Sequence, residues 1–219
     1  MSSLPEPARS ETPRKLPRDE RRVQLIEATI AVIARTGYAR TTLGEVARRA
    51  GLSHGLVNFH FRSKENLLLE TLLHLAEEYR SNWTAALEGA GPSAPERIDA
   101  LLRADFAPAI CTPDRLAAWC AFWSEAQSRP IYQERCGAND DAYNDLFERL
   151  CARMAAEHGY AGSPARTARA LRVAVEGIWL DMMTMRMPYP LDEALATAMT
   201  AAAAHFPRHF TEAGLRDRR

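Results

Sequence analysis

Residues 41–68 read TTLGEVARRAGLSHGLVNFHFRSKENLL, and this stretch decides the fold. The hydroxyl of Thr42 can accept a free backbone N–H at the start of a short helix, on which Leu43, Val46, Ala47 and Ala50 share one side. Gly51 permits the left-handed backbone that ends this helix, and Ser53 caps a second one after a tight turn. The pattern predicts helices over 43–50 and 54–60, crossing as a helix-turn-helix. On the second, Val57 and Phe61 are four apart and face a small core, with Leu52 joining from the turn. At about 100° per residue, Gly55, Leu56 and Phe59 fall on the opposite side, flanked by His54, Asn58 and His60. That face suits a nucleic-acid groove. Gly55 allows close approach, Leu56 and Phe59 can touch thymine methyls, and His54 and Asn58 can hydrogen-bond base edges or phosphates. The alternative, that Leu56 and Phe59 are core residues of a larger bundle, requires a second packing partner away from Val57 and Phe61.

Lys64, one of two lysines in the chain, follows Ser63 at the start of the next helix and reads as a phosphate contact or a solvated charge. Arg48 and Arg49 read the same way. The candidate DNA-contacting residues are therefore Thr42, Ser53, His54, Gly55, Leu56, Asn58, Phe59, His60 and Lys64. Charge supports their placement. The whole chain is neutral, with 28 basic and 28 acidic residues, but residues 1–65 carry 12 basic against 7 acidic and the remainder 16 against 21. A net of +5 on the N-terminal part is what a phosphate-binding module needs.

Outward from this motif, Pro and Gly punctuate Ala-, Leu- and Arg-rich segments whose apolar residues recur at three and four. The chain reads as all-α, with about nine helices near 19–36, 43–50, 54–60, 64–88, 94–107, 113–127, 131–158, 164–187 and 191–212. A disordered arm is expected over 1–18, a DNA-binding head over 19–65 and a helical ligand-binding and dimerisation body over 66–219. The fourth helix, roughly 35 Å at 1.5 Å per residue, can act as a lever between them. With 219 residues, 47% of them hydrophobic, the chain can build a sizeable core. Met1–Pro17 fits neither a secretory signal nor an anchor, and no apolar run approaches the ~20 residues of a membrane span, so a soluble, cytoplasmic protein is expected. Cys111, Cys120, Cys136 and Cys151 form no C-x-x-C pair and read as small apolar residues, with a thiol sensor as the alternative. No cofactor- or metal-binding pattern stands out. Without H-E-x-x-H, a Gly-rich phosphate loop or G-x-S-x-G, an enzyme, such as one acting on a small amine, is the lesser rival.

The run Arg21–Leu68 resembles the DNA-binding domain of TetR-family repressors at Gly37-Tyr38, Thr41-Thr42, Ala47, Ala50-Gly51, Ser53, Gly55, Phe61 and Lys64-Glu65. That family usually has Tyr, often a DNA contact, where this chain has Asn58. The body resembles the narrower BetI-like group of regulators of choline and glycine betaine metabolism in Ala117–Tyr132, AAWCAFWSEAQSRPIY, and in Glu176-Gly177-Ile178-Trp179-Leu180. In that group the recognition helix also lacks the Tyr. The resemblance implies a homodimeric repressor on a palindromic operator, released or retained by a small-molecule effector.

The body's own residues give that effector a chemistry. Trp119, Phe122, Trp123 and Ala126 follow i, i+3, i+4, i+7, which sends three large aromatics inward from one helix. Val173, Glu176, Leu180 and Met183 form a stripe with Trp179 beside it, and a carboxylate within an apolar stripe asks for a cation. Asp105 and Asp140 are further acidic candidates, and Phe106, Tyr132, Tyr143 and Phe147 further aromatic ones. Aromatic faces with a carboxylate are what a quaternary ammonium needs, at roughly 2 kcal/mol or more per desolvated ring, so a choline-like cation is expected. The alternative is that the aromatics are core and that Glu176 pairs with an arginine such as Arg172. Small residues at Ala168, Ala174, Gly177, Ala194, Ala198, Ala201 and Ala202 suit close helix packing, across a four-helix dimer interface or within one subunit. A DNA-binding dimer with no effector is the remaining alternative, and it predicts a body without a cavity.

Overall fold

The structure, a computed structural model, describes residues 17–126, 130–187 and 189–216. The expected arm lies outside these apart from residues 17 and 18, and so does the expected end of the sixth helix. The described residues form α1 (Arg18–Thr36), α2 (Leu43–Ala50), α3 (His54–Phe61), α4 (Lys64–Gly89), α5 (Ala94–Asp105), α6 (Pro113–Glu125), α7 (Pro130–His158), α8 (Pro164–Thr184) and α9 (Leu191–His205). A two-residue antiparallel pair, β1 (Phe210–Thr211) and β2 (Gly214–Leu215), follows.

Helix starts are written in side chains that accept otherwise orphaned N–H groups. The hydroxyls of Thr42, Ser53 and Ser63 accept from the N–H of Glu45, Leu56 and Asn66 at 3.2, 3.3 and 3.2 Å. Ser93 and Glu96 form a reciprocal capping box on α5. Gly51 ends α2 with φ 68°, a conformation that any Cβ would penalise. Between α3 and α4, Arg62 takes φ 64° and ψ −40° without being glycine. Such a residue stores roughly 1–2 kcal/mol of backbone strain, so Arg62→Gly is expected to raise unfolding stability by about 1 kcal/mol in urea titrations.

Two hydrophobic clusters fill the molecule. One joins α1, α2, α3 and the first half of α4, and does not stop at residue 65: Ala118 and Phe122 of α6 and Tyr132 of α7 complete it. The other joins α5, α7, α8, α9 and the terminal pair around Leu101, Phe147, Met154, Leu171 and Met199. Head and body thus share a wall along α1 and α6. Two helix ends fall short of expectation by three residues or more. The eighth helix stops at Thr184 rather than 187, and the ninth at His205 rather than 212. Pro207 explains the second, because proline pushes the residue before it out of helical backbone and Phe206 accordingly sits at φ −130°. Among the described residues no helix is long and apolar enough to cross a membrane.

Candidate nucleic-acid interface and ligand cavity

α3 is a short ridge supported from behind. Val57 and Phe61 are buried in the first cluster, while His54, Gly55 and Asn58 are exposed, Leu56 is half-buried and Phe59 is 67% exposed. Among the described residues no second packing partner covers Phe59. His60 departs from the expected groove face: it is buried at 9% exposure, its ring against those of Phe59 and Phe61 at 5.3 and 6.3 Å. Three residues on from Val57, it belongs to the inner flank of the helix. Its burial, with Arg18, Arg22 and Arg21 nearby, holds it below the ordinary histidine value and so favours the neutral ring. Lys64 does not stand free. Its Nζ donates to the Ala39 carbonyl at 2.9 Å and lies 5.8 Å from the Tyr38 ring centre, which pins the turn before α2 to the start of α4. Thr42 and Ser53 are exposed, with their hydroxyls engaged in capping.

Sequence reasoning missed the arginines of α1. Arg18 lies 5.9 Å from the centre of the Phe59 ring; Arg22 donates to the His60 carbonyl at 3.0 Å and pairs with Glu70 of α4 at 3.1 Å. Arg18, Arg21 and Arg22 share one stripe at i, i+3 and i+4, which was the available signal. They extend the positive surface beside the ridge and tie α1 to it.

In the body, Tyr79, Asp105, Trp119, Trp123, Tyr143 and Trp179 wall a cavity of about 210 Å³, whose rim holds Asp140, Asn144, Arg172 and Glu176. The rings of Trp123 and Trp179 are stacked 8° from parallel with centres 6.3 Å apart, and the Trp119 ring, tilted by 31°, lies 6.3 Å from that of Trp123. Asp105 is fully buried. Its two carboxylate oxygens accept from the Tyr79 and Tyr143 hydroxyls at 2.7 and 2.9 Å, and its backbone carbonyl accepts from Trp179 Nε1 at 3.1 Å. No basic side chain pairs with it among the described residues. Burial pushes its carboxyl up to about 7 despite the two phenolic hydrogen bonds, with the charge of Glu176 adding to the rise. Glu176 itself pairs with Arg172 at 2.5 Å, as the alternative reading had it. The Asp140 carboxyl at the rim is raised, first by loss of hydration and then by the charge of Glu176.

Four expected ligand candidates lie elsewhere, Phe147 among them in the body core. Phe122 and Tyr132 belong to the wall shared with α1. The Tyr132 hydroxyl is 2.5 Å from that of Tyr38, and Phe122 meets both rings edge-on at 5.7 and 5.9 Å. Trp119 and Trp123 are four apart and share a stripe, whereas Phe122 is turned toward α1. Phe106 ends α5 and packs into the body core, away from the Asp105 carboxylate. Tyr79 was missed because LAEEYRS reads as a solvated helix face, and its partner comes from another helix. The thiols of Cys111 and Cys151 are buried and pushed up to about 12, which leaves neither able to form a reactive thiolate near neutrality. Cys136 lies outside the side chains described.

A third cluster joins head to body. Arg115 of α6 donates from Nη2 to Glu27 of α1 at 2.9 Å and to Glu78 of α4 at 2.7 Å, and from Nε to Glu78 at 3.0 Å. His74 Nε2 faces both carboxylates at 3.4 and 3.5 Å, long for hydrogen bonds, so charge more than geometry holds it. Contacts with Glu27 and Glu78 hold His74 up at about 9, and burial pushes Glu78 up but the contacts with His74 and Arg115 prevail, bringing it down to about 2. Glu27 is lowered, chiefly by His74. The Glu27, His74 and Glu78 donors lie within 4.8 Å of one another, a set that could hold a metal ion, yet the Arg115 guanidinium already supplies the positive charge there.

This cluster gives a signed pH dependence. The stability that His74 contributes is full below its unfolded value near 6.5 and is lost as pH rises through about 9. The stability difference between wild type and His74→Gln should accordingly be about 2 kcal/mol at pH 6, after allowance for partial exposure, and vanish near pH 10 in urea titrations.

The chain matches two family models: residues 25–71 match "Bacterial regulatory proteins, tetR family", and residues 94–207 match "BetI-type transcriptional repressor, C-terminal". The HTH-type transcriptional regulator BetI of Paraburkholderia phymatum is 32% identical over 181 residues, covering 83% of this chain and 90% of that protein. Its namesake in Rhizobium meliloti is 30% identical over 192 residues, covering 84% and 89%. Among solved structures, a transcriptional regulator of Pseudomonas aeruginosa superposes with TM-score 0.72 at 25% identity, covering 88% of this chain and 96% of that one. A regulator from Saccharomonospora viridis, crystallised with choline, superposes with TM-score 0.74 at 20% identity, covering 86% and 97%.

Proposed function

Because the chain belongs to the TetR family and carries a BetI-type C-terminal domain, we propose that it is a homodimeric repressor whose grip on a palindromic operator is loosened when a choline-like cation enters the Trp119–Trp123–Trp179 cavity. It is a helix-turn-helix transcriptional regulator and not an enzyme. The observation that carries the effector is Asp105. A fully buried carboxylate without a cationic partner is expensive, and here it faces a cavity whose walls are stacked indoles. A quaternary ammonium answers both features, since it needs no hydrogen bonds and is held by aromatic faces and negative charge. Choline, held by the Saccharomonospora viridis regulator, has this chemistry. A DNA-binding dimer that senses nothing would need no such cavity.

On the DNA side, Gly55, Leu56, Asn58 and Phe59 of α3 enter the major groove, His54 and the capped ends at Thr42 and Ser53 stand at its edge, and Arg18 and Arg21 take flanking phosphates. Dimerisation uses the outward face of α8. Ala168, Ala194, Ala198 and Ala202 are buried within the subunit, so the small residues mostly close the body, but Val173, Gly177 and Leu180 form an exposed stripe. Val173→Glu with Leu180→Glu is expected to leave a folded monomer in sedimentation analysis and to lower operator affinity more than tenfold. An undisturbed dimer would remove this face from the interface. Ligand acts only through its different affinities for operator-fitting and non-fitting arrangements of the heads.

The direct test is calorimetry with choline and betaine aldehyde, combined with selection of bound fragments from the source genome. Saturable heat and a palindromic consensus are expected. Absence of heat with both compounds removes the cation reading, and absence of any selected duplex removes the operator reading.

A further inference from the structure

Three helices reach both the cavity and the head: α7, through Tyr143 and Tyr132, and α4 and α6, which also carry charged groups between the two. On α4, Tyr79 lines the cavity and holds Asp105, while Glu78, its neighbour, and His74, one turn earlier, face Glu27 of α1. On α6, Trp119 and Trp123 wall the cavity, and Arg115 lies on the same stripe one turn before Trp119, bound to Glu27 and Glu78. From α1, Arg22 grips the backbone of α3 at the His60 carbonyl. We propose that Glu27, His74, Glu78 and Arg115 form an ionic joint that passes a change in the cavity to the recognition helix, with Arg115 positioning α6 against α1.

Apolar faces such as those of Leu25, Ala118 and Phe122 can slide past one another by a fraction of an ångström at small cost. A guanidinium spanning two carboxylates at 2.7 and 2.9 Å cannot, because its planar fork fixes both distance and direction. The joint is also balanced: two carboxylates face one guanidinium and one imidazole that is protonated at neutral pH. Displacing α6 therefore either carries α1 with it or leaves a half-buried carboxylate without its cation, and these are two discrete arrangements. Every charged group in the joint is accounted for by element: Glu27 from α1, His74 and Glu78 from α4, and Arg115 from α6. The Arg22–Glu70 pair lies farther along the same α1–α4 seam. The joint deepens the effector reading and rests on it for the identity of the signal.

The test is a double-mutant cycle in affinity for the duplex that the wild-type protein selects from a random-sequence library. Trp123→Ala alters the cavity at a 40%-exposed position, with Tyr79→Phe as a milder alternative. Glu27→Gln cuts the head end of the joint and leaves the Arg115–Glu78 pair intact. Trp123→Ala is expected to change duplex affinity at least fivefold when Glu27 is present and less than twofold in Glu27→Gln. Arg115→Lys, which keeps the charge and loses the fork, should behave as Glu27→Gln does. Equal effects in both backgrounds, or no effect in either, overturn the joint. In a second arm, Glu27→Gln should bind choline as wild type does by tryptophan fluorescence while choline's effect on duplex affinity falls at least fivefold. A full effect in this variant overturns the joint. If choline leaves wild-type fluorescence unchanged, the effector reading has failed, and the ligand-free cycle still decides the joint.

Discussion

Replacing Gly55 by glutamate is expected to weaken binding to the selected duplex by at least about 100-fold while leaving thermal stability unchanged or slightly raised. The backbone at Gly55 is helical, and a Cβ built there meets nothing within 4 Å, so the free protein has no need of glycine at this position. A side chain there removes glycine's entropic penalty of roughly 0.5–1 kcal/mol, and a carboxylate in the first turn is favoured by the exposed N–H groups. Contact with DNA reverses the sign. The side chain enters the space through which the ridge approaches the bases, and its charge faces phosphates; a loss of about 3 kcal/mol is comparable with one good base contact plus repulsion. Gly55→Ala should lie between the two. If Gly55→Glu bound the duplex as wild type does, the groove-facing assignment of α3 would be wrong, even though the helix-turn-helix were intact.

Asp105→Asn is expected to abolish saturable choline binding, a loss of more than 100-fold in calorimetry, and at the same time to stabilise the protein. The two effects share one cause. The carboxyl is raised to about 7 in the folded state, so between about pH 4 and pH 7 the folded chain binds a proton that the unfolded chain has released, and stability falls as pH rises through that window. The full penalty is on the order of 4 kcal/mol at pH 8. Asparagine keeps a polar group for Tyr79 and Tyr143 and removes the charge. Wild type should therefore lose stability from pH 4 to pH 7 relative to Asp105→Asn, and choline should restore a part of it. A residue that weakens the empty protein and strengthens the filled one marks a binding site rather than a core position. A variant that bound choline unchanged would return Asp105 to the core.

Much of the head was legible because its signals are local. Thr42, Gly51 and Ser53 set boundaries within one turn of themselves, and Val57 with Phe61 declares the inner face. His60 was misplaced because the flank of a two-turn helix depends on what packs over it, here α1, and sequence spacing alone does not say so. The Trp119–Trp123 stripe was legible for the same local reason, but Phe122 and Tyr132 were drawn into the ligand set because the wall between α1 and α6 was not foreseen. Asp105 could be named as a candidate. Its isolation could not, since this follows from Tyr79 and Tyr143 arriving from two other helices. The ionic joint was invisible: its four members sit on three helices, each within a segment that reads as ordinary solvated surface. The end of α9 was readable at Pro207, where the run of small apolar residues outweighed a plain stop signal.

The most direct measurement of the central claim uses thermodynamic reciprocity. Choline is titrated into the dimer with and without saturating operator duplex, and occupancy is followed by tryptophan fluorescence. If filling the cavity and gripping the duplex are two ends of one equilibrium, choline must bind more weakly to the DNA-bound dimer, by the same factor of roughly 5–150 by which choline weakens the duplex. Identical choline affinity in the two titrations would mean that cavity and ridge do not communicate.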